Sequence, residues 1–184
     1  MGIRPSRCRW QGASGTVKHS PTIADDKVLA VLDPKYLWMR DYLSALNPKD
    51  LAAKKDVDPT VFPEHMPFVN LVDVLYEEEI RFKFRLVGGE QNRGAGRFIA
   101  GQFVEDAVLP DFIDRIRANM MTAVETGQPV YDRFPMPHPD KSFVDSERVY
   151  FPLAKDGRTV DTLLILNGYA DIPAAAGSFV ADRR

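Results

Sequence analysis

Two stretches of the chain repeat apolar residues at helical spacing. Tyr36, Met39, Leu43 and Leu46 form one stripe behind Asp33-Pro34, an N-cap followed by proline in the first turn, and Asn47-Pro48 closes it. This pattern predicts a helix over 34–46. Phe112, Ile116, Met120 and Ala123 or Val124 form the second stripe, which starts near Pro110 and stops at Gly127. A short helical piece over 51–55 is weaker. Pro59, Pro63 and Pro67 then forbid a long helix and lead the chain into extended structure. Residues 66–76 are mostly Val, Leu and Phe. Residues 81–87 alternate, with Phe82, Phe84 and Leu86 on one side and Arg81, Lys83 and Arg85 on the other. Glu77-Glu78-Glu79 joins these two runs as a solvated hairpin turn, and the charged face marks the second as an edge strand.

Three further strands are expected after the second helix. Residues 129–137 are studded with proline, which places them at a sheet edge. Residues 142–154 form a strand, and Asp156-Gly157 turns the chain into the last one at 160–169. In that strand Leu164 and Leu166 point one way, Leu163 and Ile165 the other. A strand apolar on both sides belongs at the centre of a sheet, covered on both faces, with the helix over 34–46 as the second cover. Residues 1–32, mixed and without periodicity, are expected to be a flexible tail, residues 33–171 the domain, and residues 172–184 a second tail.

Composition narrows the function classes. With 184 residues and 45% hydrophobic content the chain is long enough to bury a core, and its formal charge of -2, without a long basic run, argues against nucleic acid as a partner. One cysteine, Cys8, gives no intramolecular disulfide framework and no cysteine-based metal cluster. No apolar run is long enough to span a bilayer, so a cytoplasmic protein without a membrane partner is the expectation.

The order helix, strand, strand, helices, three strands resembles the PAS fold. Its five antiparallel strands lie as 2-1-5-4-3, with a helical insert between the second and third, so the charged and proline-rich strands fall at the edges and the doubly apolar one at the centre. Five segments, DPTVFPEHMPFVNLVDV (58–74), RFKFRLVG (81–88), GRFIAGQFVED (96–106), ETGQPVYDR (125–133) and ERVYFPLAKDGRTVDTLLI (147–165), are similar to a family of small stand-alone bacterial PAS proteins common in alphaproteobacteria. Gly89-Glu90 departs from that family, where a threonine more often opens a continuous helix. The resemblance implies an α+β sensory or signalling module, not an enzyme. Such a module couples a small ligand or a partner protein to a separate effector.

Candidate chemistry is sparse. The glycines of FRLVGGEQNRGAGR (84–97) follow a strand, but Ile99 and Ala95 stand where dinucleotide and P-loop motifs need a small residue and a lysine. They are read as sites of positive backbone angle where the strand enters the insert. His19, His65 and His138 share no regular element, and no metal is expected. The resemblance implies that haem would take a histidine from the long insert helix and covalent flavin a cysteine from the insert. Residues 111–126 hold no histidine and the insert no cysteine, so both are disfavoured and the cofactor stays unknown.

A cavity between the insert and the sheet is the candidate ligand site, suited to a small apolar or aromatic molecule. Phe84, Leu86, Phe98, Phe103, Ile116, Met120, Tyr131, Phe151, Leu164 and Leu166 are its expected lining, with Tyr131 as a polar anchor. Tyr36, Trp38, Met39 and Leu43 are the candidate surface for a homodimer or effector protein. Two alternatives stand beside this reading: a ligand-free docking scaffold, and a small α+β enzyme using Asp73 and Tyr131 as an acid–base pair.

Overall fold

The computed structural model describes residues 19–135 and 145–169; the remaining parts of the expected tails, and His138, lie outside the described residues. Ordered structure begins earlier than periodicity places it. A two-residue strand, β1 (Thr22–Ile23), pairs antiparallel with Tyr131 and Val130, and a single-turn helix, α1 (Asp26–Leu29), follows with Asp25 accepting from the Val28 N–H at 2.9 Å. Residues 19–32 are therefore part of the domain. Two paired residues and one turn are too short to leave a period in the sequence. They are held by backbone bonds, and by Leu29, which is buried.

Helix α2 (Pro34–Leu46) starts at Asp33, whose carboxylate accepts from the Lys35 N–H at 3.0 Å, and ends at Asn47. Three single 3₁₀ turns, Lys54–Asp56, Pro59–Val61 and Met66–Phe68, carry the proline-rich segment to β2 (Val69–Tyr76). Strand β3 (Ile80–Val87) returns beside it. The insert comprises α3 (Gly89–Ala95), α4 (Val104–Ala107) and α5 (Pro110–Thr126), the last ended by Gly127 in the left-handed conformation. Strands β4 (Val130–Pro135), β5 (Asp145–Leu153) and β6 (Thr162–Tyr169) are the last elements of the described residues. Asp156 accepts from the N–H groups of Arg158 and Thr159, which shapes the β5–β6 turn.

The sheet is antiparallel with order β1-β4-β5-β6-β2-β3. Without β1 this is the PAS-like order, and the fold is α+β with that sheet. Strand β6 is central and buried on both faces. The segment 101–103 lies along β3, with Gly101 N–H donating to Phe84 O and Phe84 N–H to Gln102 O, so the charged edge strand is partly covered.

Two apolar layers flank the sheet. The insert layer joins Val72, Val74, Phe82, Phe84, Tyr150, Leu163 and Ile165 to Ile99, Val104, Ile116, Met120 and Ala123. The α2 layer joins Tyr36, Met39, Leu43 and Phe62 to Val69, Val149, Phe151, Leu153, Leu164 and Leu166. Gly88, where β3 enters the insert, has φ −61, so a left-handed backbone is not its reason. A Cβ there would stand 2.2 Å from the Pro67 carbonyl oxygen, and close approach of two backbones demands the glycine.

Candidate functional site

The expected lining of one cavity divides between the two layers. Phe84, Ile116 and Met120 meet in the insert core. Tyr131, Phe151, Leu164 and Leu166 pack toward α2 on the opposite face. Leu86 leaves the insert face because the pairing shifts between Leu71 and Val72: Phe84 faces Val72, but Leu86 faces Leu71. Phe98 is 79% exposed. Phe103 covers Arg81, whose guanidinium carbon is 3.6 Å from the ring centre, beside the β3 edge. The ten residues do not line a common space.

The expected partner surface also changes. Tyr36, Met39 and Leu43 are buried against the sheet, because the apolar stripe of α2 is its core face. Trp38 remains at the surface, stacked on Tyr42 at 5.4 Å and edge-on to Phe62 and His65. The Asp73–Tyr131 acid–base pair is not assembled. Both face α2, but β2 and β4 lie three strand spacings apart, on the order of 14 Å. Asp73 is held by Arg85 Nε at 2.7 Å and Lys54 Nζ at 3.6 Å. The Tyr131 hydroxyl donates to Glu147 Oε2 at 3.3 Å, and burial, then Glu147, pushes its phenol up to about 12.

A different group of side chains is drawn together beneath α5. Five of the seven buried polar residues, Asn70, Asn119, Asp132, Ser146 and Asn167, face the insert, amid an otherwise apolar layer. Strand register places Asp132, Arg148 and Asn167 side by side across β4, β5 and β6, a row roughly 10 Å long. Tyr150 lies next to that row on β5, opposite Val130 and Ile165. Asn119 descends from α5, and His19 Nε2 meets its Oδ1 at 2.8 Å.

Asp132 is fully committed. Arg115 Nε reaches its Oδ1 and Oδ2 at 2.9 and 3.2 Å, and Arg115 Nη2 reaches Oδ1 at 2.5 Å. Arg148, by contrast, donates to Ser146 Oγ at 3.0 Å and lies 4.5 Å from the centre of the Phe134 ring, with no carboxylate within ion-pair distance among the described residues. Phe134 itself stacks on Phe112 of α5 at 5.0 Å, forming an aromatic wall beside the row.

Four buried atoms in this group have no hydrogen-bond partner among the described residues: Asn119 Nδ2, Arg148 Nε, Tyr150 Oη and Asn167 Oδ1. A fifth such atom, Glu105 Oε2, lies on α4. Burial pushes the Tyr150 phenol up to about 12. Arg148, by its charge, and Asn119, by hydrogen bonding toward the hydroxyl, act in the other direction. Each buried polar atom left unmade costs on the order of 1–3 kcal/mol. A fold that gathers four of them in one place holds unspent hydrogen-bonding capacity there.

Two surface clefts lie elsewhere. One groove of about 180 Å³ lies between α2 and the start of β4, bordered by Arg40, Leu43, Phe151 and Pro152, and a second adjoins it at Arg40 and Pro129. Neither groove touches the polar row. Among the described residues no group of three or more His, Cys, Asp or Glu is arranged to hold a metal, and no helix is long and apolar enough to cross a membrane.

No family model matches the chain, and no curated protein matches it. Among solved structures it is similar to a Rhodobacter sphaeroides LOV protein, with 16% identity and a TM-score of 0.45 over 66% of this chain and 73% of that one. It is also similar to an RNA-binding light-oxygen-voltage receptor, with 13% identity and a TM-score of 0.42 over 68% of this chain and 33% of the other.

The polar row was legible only in part. Asp132, Arg148 and Asn167 each interrupt an apolar alternation in VYDRF, ERVYF and ILNGY. Their alignment across three strands depends on register, which no single segment reveals.

Proposed function

We propose that this protein is a PAS-type sensory module that takes a small ligand between α5 and the insert face of β4, β5 and β6, and passes the signal to a separate effector or a second copy. The observation that carries this reading is the convergence of four orphan hydrogen-bonding atoms on one patch beneath a helix. A ligand bearing complementary groups satisfies those atoms in an opened state, while the closed state leaves them unmade. That difference in interaction free energy is what a ligand needs in order to shift a conformational equilibrium. The cytoplasm is the proposed compartment. Output would run through the exposed side of α2, where Trp38 stacks on Tyr42.

The test is non-denaturing mass spectrometry of the full chain purified gently from its native host, alongside Asn119→Leu. The expected result is a bound small molecule on the natural chain that is lost from the variant. If the natural chain carries nothing and Asn119→Leu is clearly less stable than the parent, the row is a structural cluster. A ligand-free docking scaffold is then the better reading.

A further inference from the structure

Resting on that ligand-site reading, we infer that the ligand is a compact aromatic carboxylate whose acid group is received by Arg148, Asn119 and Tyr150. The unsatisfied atoms set the polarity. Arg148 Nε and Asn119 Nδ2 can only donate and the Tyr150 hydroxyl can donate, whereas Asn167 Oδ1 can only accept. Asn167 is fixed in that orientation because its Nδ2 already donates to Phe68 O at 2.8 Å. Two obligate donors and a hydroxyl that can do either, against one obligate acceptor, favour a ligand group rich in lone pairs.

Charge selects among such groups. Arg115 and Asp132 neutralise each other through their fork, and Glu90 is engaged by Arg93 at 2.7 Å on α3. Arg148 remains as a half-buried guanidinium facing a hydroxyl and a ring, with no carboxylate within ion-pair distance among the described residues. An anion there completes a charge-assisted bond, and a planar carboxylate matches the guanidinium geometry. The walls select the body of the ligand. Phe134 and Phe112 stack at one side, and Val130, Ile116 and Met120 belong to the same apolar layer. A flat ring between these walls requires α5 and its Phe112 to move outward. The Asn167 oxygen then accepts from a hydroxyl or ring N–H on the ligand's body.

The experiment uses the full chain with 4-hydroxybenzoate and its neutral counterpart 4-hydroxybenzamide, followed by calorimetry and by NMR of the uniformly labelled protein. 4-Hydroxybenzoate is expected to bind and to shift the Asn119 side-chain amide and the Arg148 Nε–H signals. The benzamide should bind at least about tenfold more weakly, and Arg148→Gln should remove the difference. Equal binding of the two compounds, with the same signals shifted, would overturn the carboxylate and leave the site intact. Shifts confined to the α2 groove, or no binding of either compound, would overturn the carboxylate. If in that case Asn119→Leu also proves clearly less stable than the parent, the polar row is a structural cluster and the site reading falls with it. The comparison of the two compounds by NMR on the natural chain decides the carboxylate even if a variant fails to fold.

Discussion

At the scale of single residues, the insert face carries its polar groups in two distinct states. Asp132 is buried but fully paired, since Arg115 meets both its oxygens and also donates to the Arg133 carbonyl at 2.7 Å. Breaking such a pair from one side leaves an uncompensated charge in the interior. Arg115→Met should therefore cost about 3 kcal/mol in chemical denaturation, whereas Arg115→Met with Asp132→Leu should cost clearly less than the sum of the two single changes. Additive costs would show that the fork contributes nothing beyond its separate parts. Tyr150, Tyr131 and Tyr36 provide a second measurement. Burial is the largest cause of the rise in all three phenols, reaching about 12 for Tyr150 and Tyr131, with Tyr36 raised further. A phenol raised in the folded state keeps its proton after the unfolded chain, whose tyrosines ionise near 10, has lost it. Its stabilisation is intact below that value and disappears as pH rises through the folded value. Stability should thus fall steeply above pH 10, and Tyr150→Phe should flatten part of that slope. A slope unchanged in the variant would show that Tyr150 ionises as an ordinary phenol.

At the scale of elements, α2 shows what hydrophobic spacing conveys and what it withholds. The stripe Tyr36, Met39, Leu43 and Leu46 correctly marked one face of a helix over Pro34–Leu46, capped at Asp33. It did not say whether that face meets the domain's own sheet or another protein. The structure puts it against Phe151, Leu164 and Leu166. Met39→Ala should accordingly cost about 3 kcal/mol by opening a cavity. Trp38→Ala, which removes a ring 39% exposed, should cost much less and act on association or effector binding if the outer side of α2 is the output surface. Equal losses would place Trp38 among the core residues. The strands show the same limit. Parity in LLIL separated Leu163 and Ile165 from Leu164 and Leu166, yet both sets are apolar, so alternation could not tell which set faces the insert. The β3 irregularity that diverts Leu86 left no compositional trace either. Strand order was legible because charge, proline and double-sided hydrophobicity each fix a place in a sheet. The site was not, because it depends on register and on which of two apolar faces each cover takes.

At the scale of the whole molecule, the N-terminal segment ties the two layers together. His19 holds Asn119 over the insert face, Thr22 and Ile23 pair with the edge of β4, and Ala24 N–H donates to Pro129 O at 2.8 Å. The chain then crosses to the other side, where Leu29 packs with α2 and Arg40 of α2 pairs with Asp26. A change in Asn119 therefore has a short covalent and hydrogen-bonded route to the helix that carries the exposed Trp38. The strap itself is weakly held, by a two-residue strand and a one-turn helix, and weakly held segments open below the global unfolding free energy. Removing its first anchor tests the coupling. His19→Ala should lower overall stability by about 1 kcal/mol or less, the worth of one hydrogen bond. It should accelerate amide hydrogen exchange at Ala24 and Leu29 much more than in central β6. Faster exchange that extends into the first turns of α2 would show that the insert face and the α2 face communicate through the strap. Acceleration confined to residues 19 and 20 would show a frayed end, with no route between the two layers on that side.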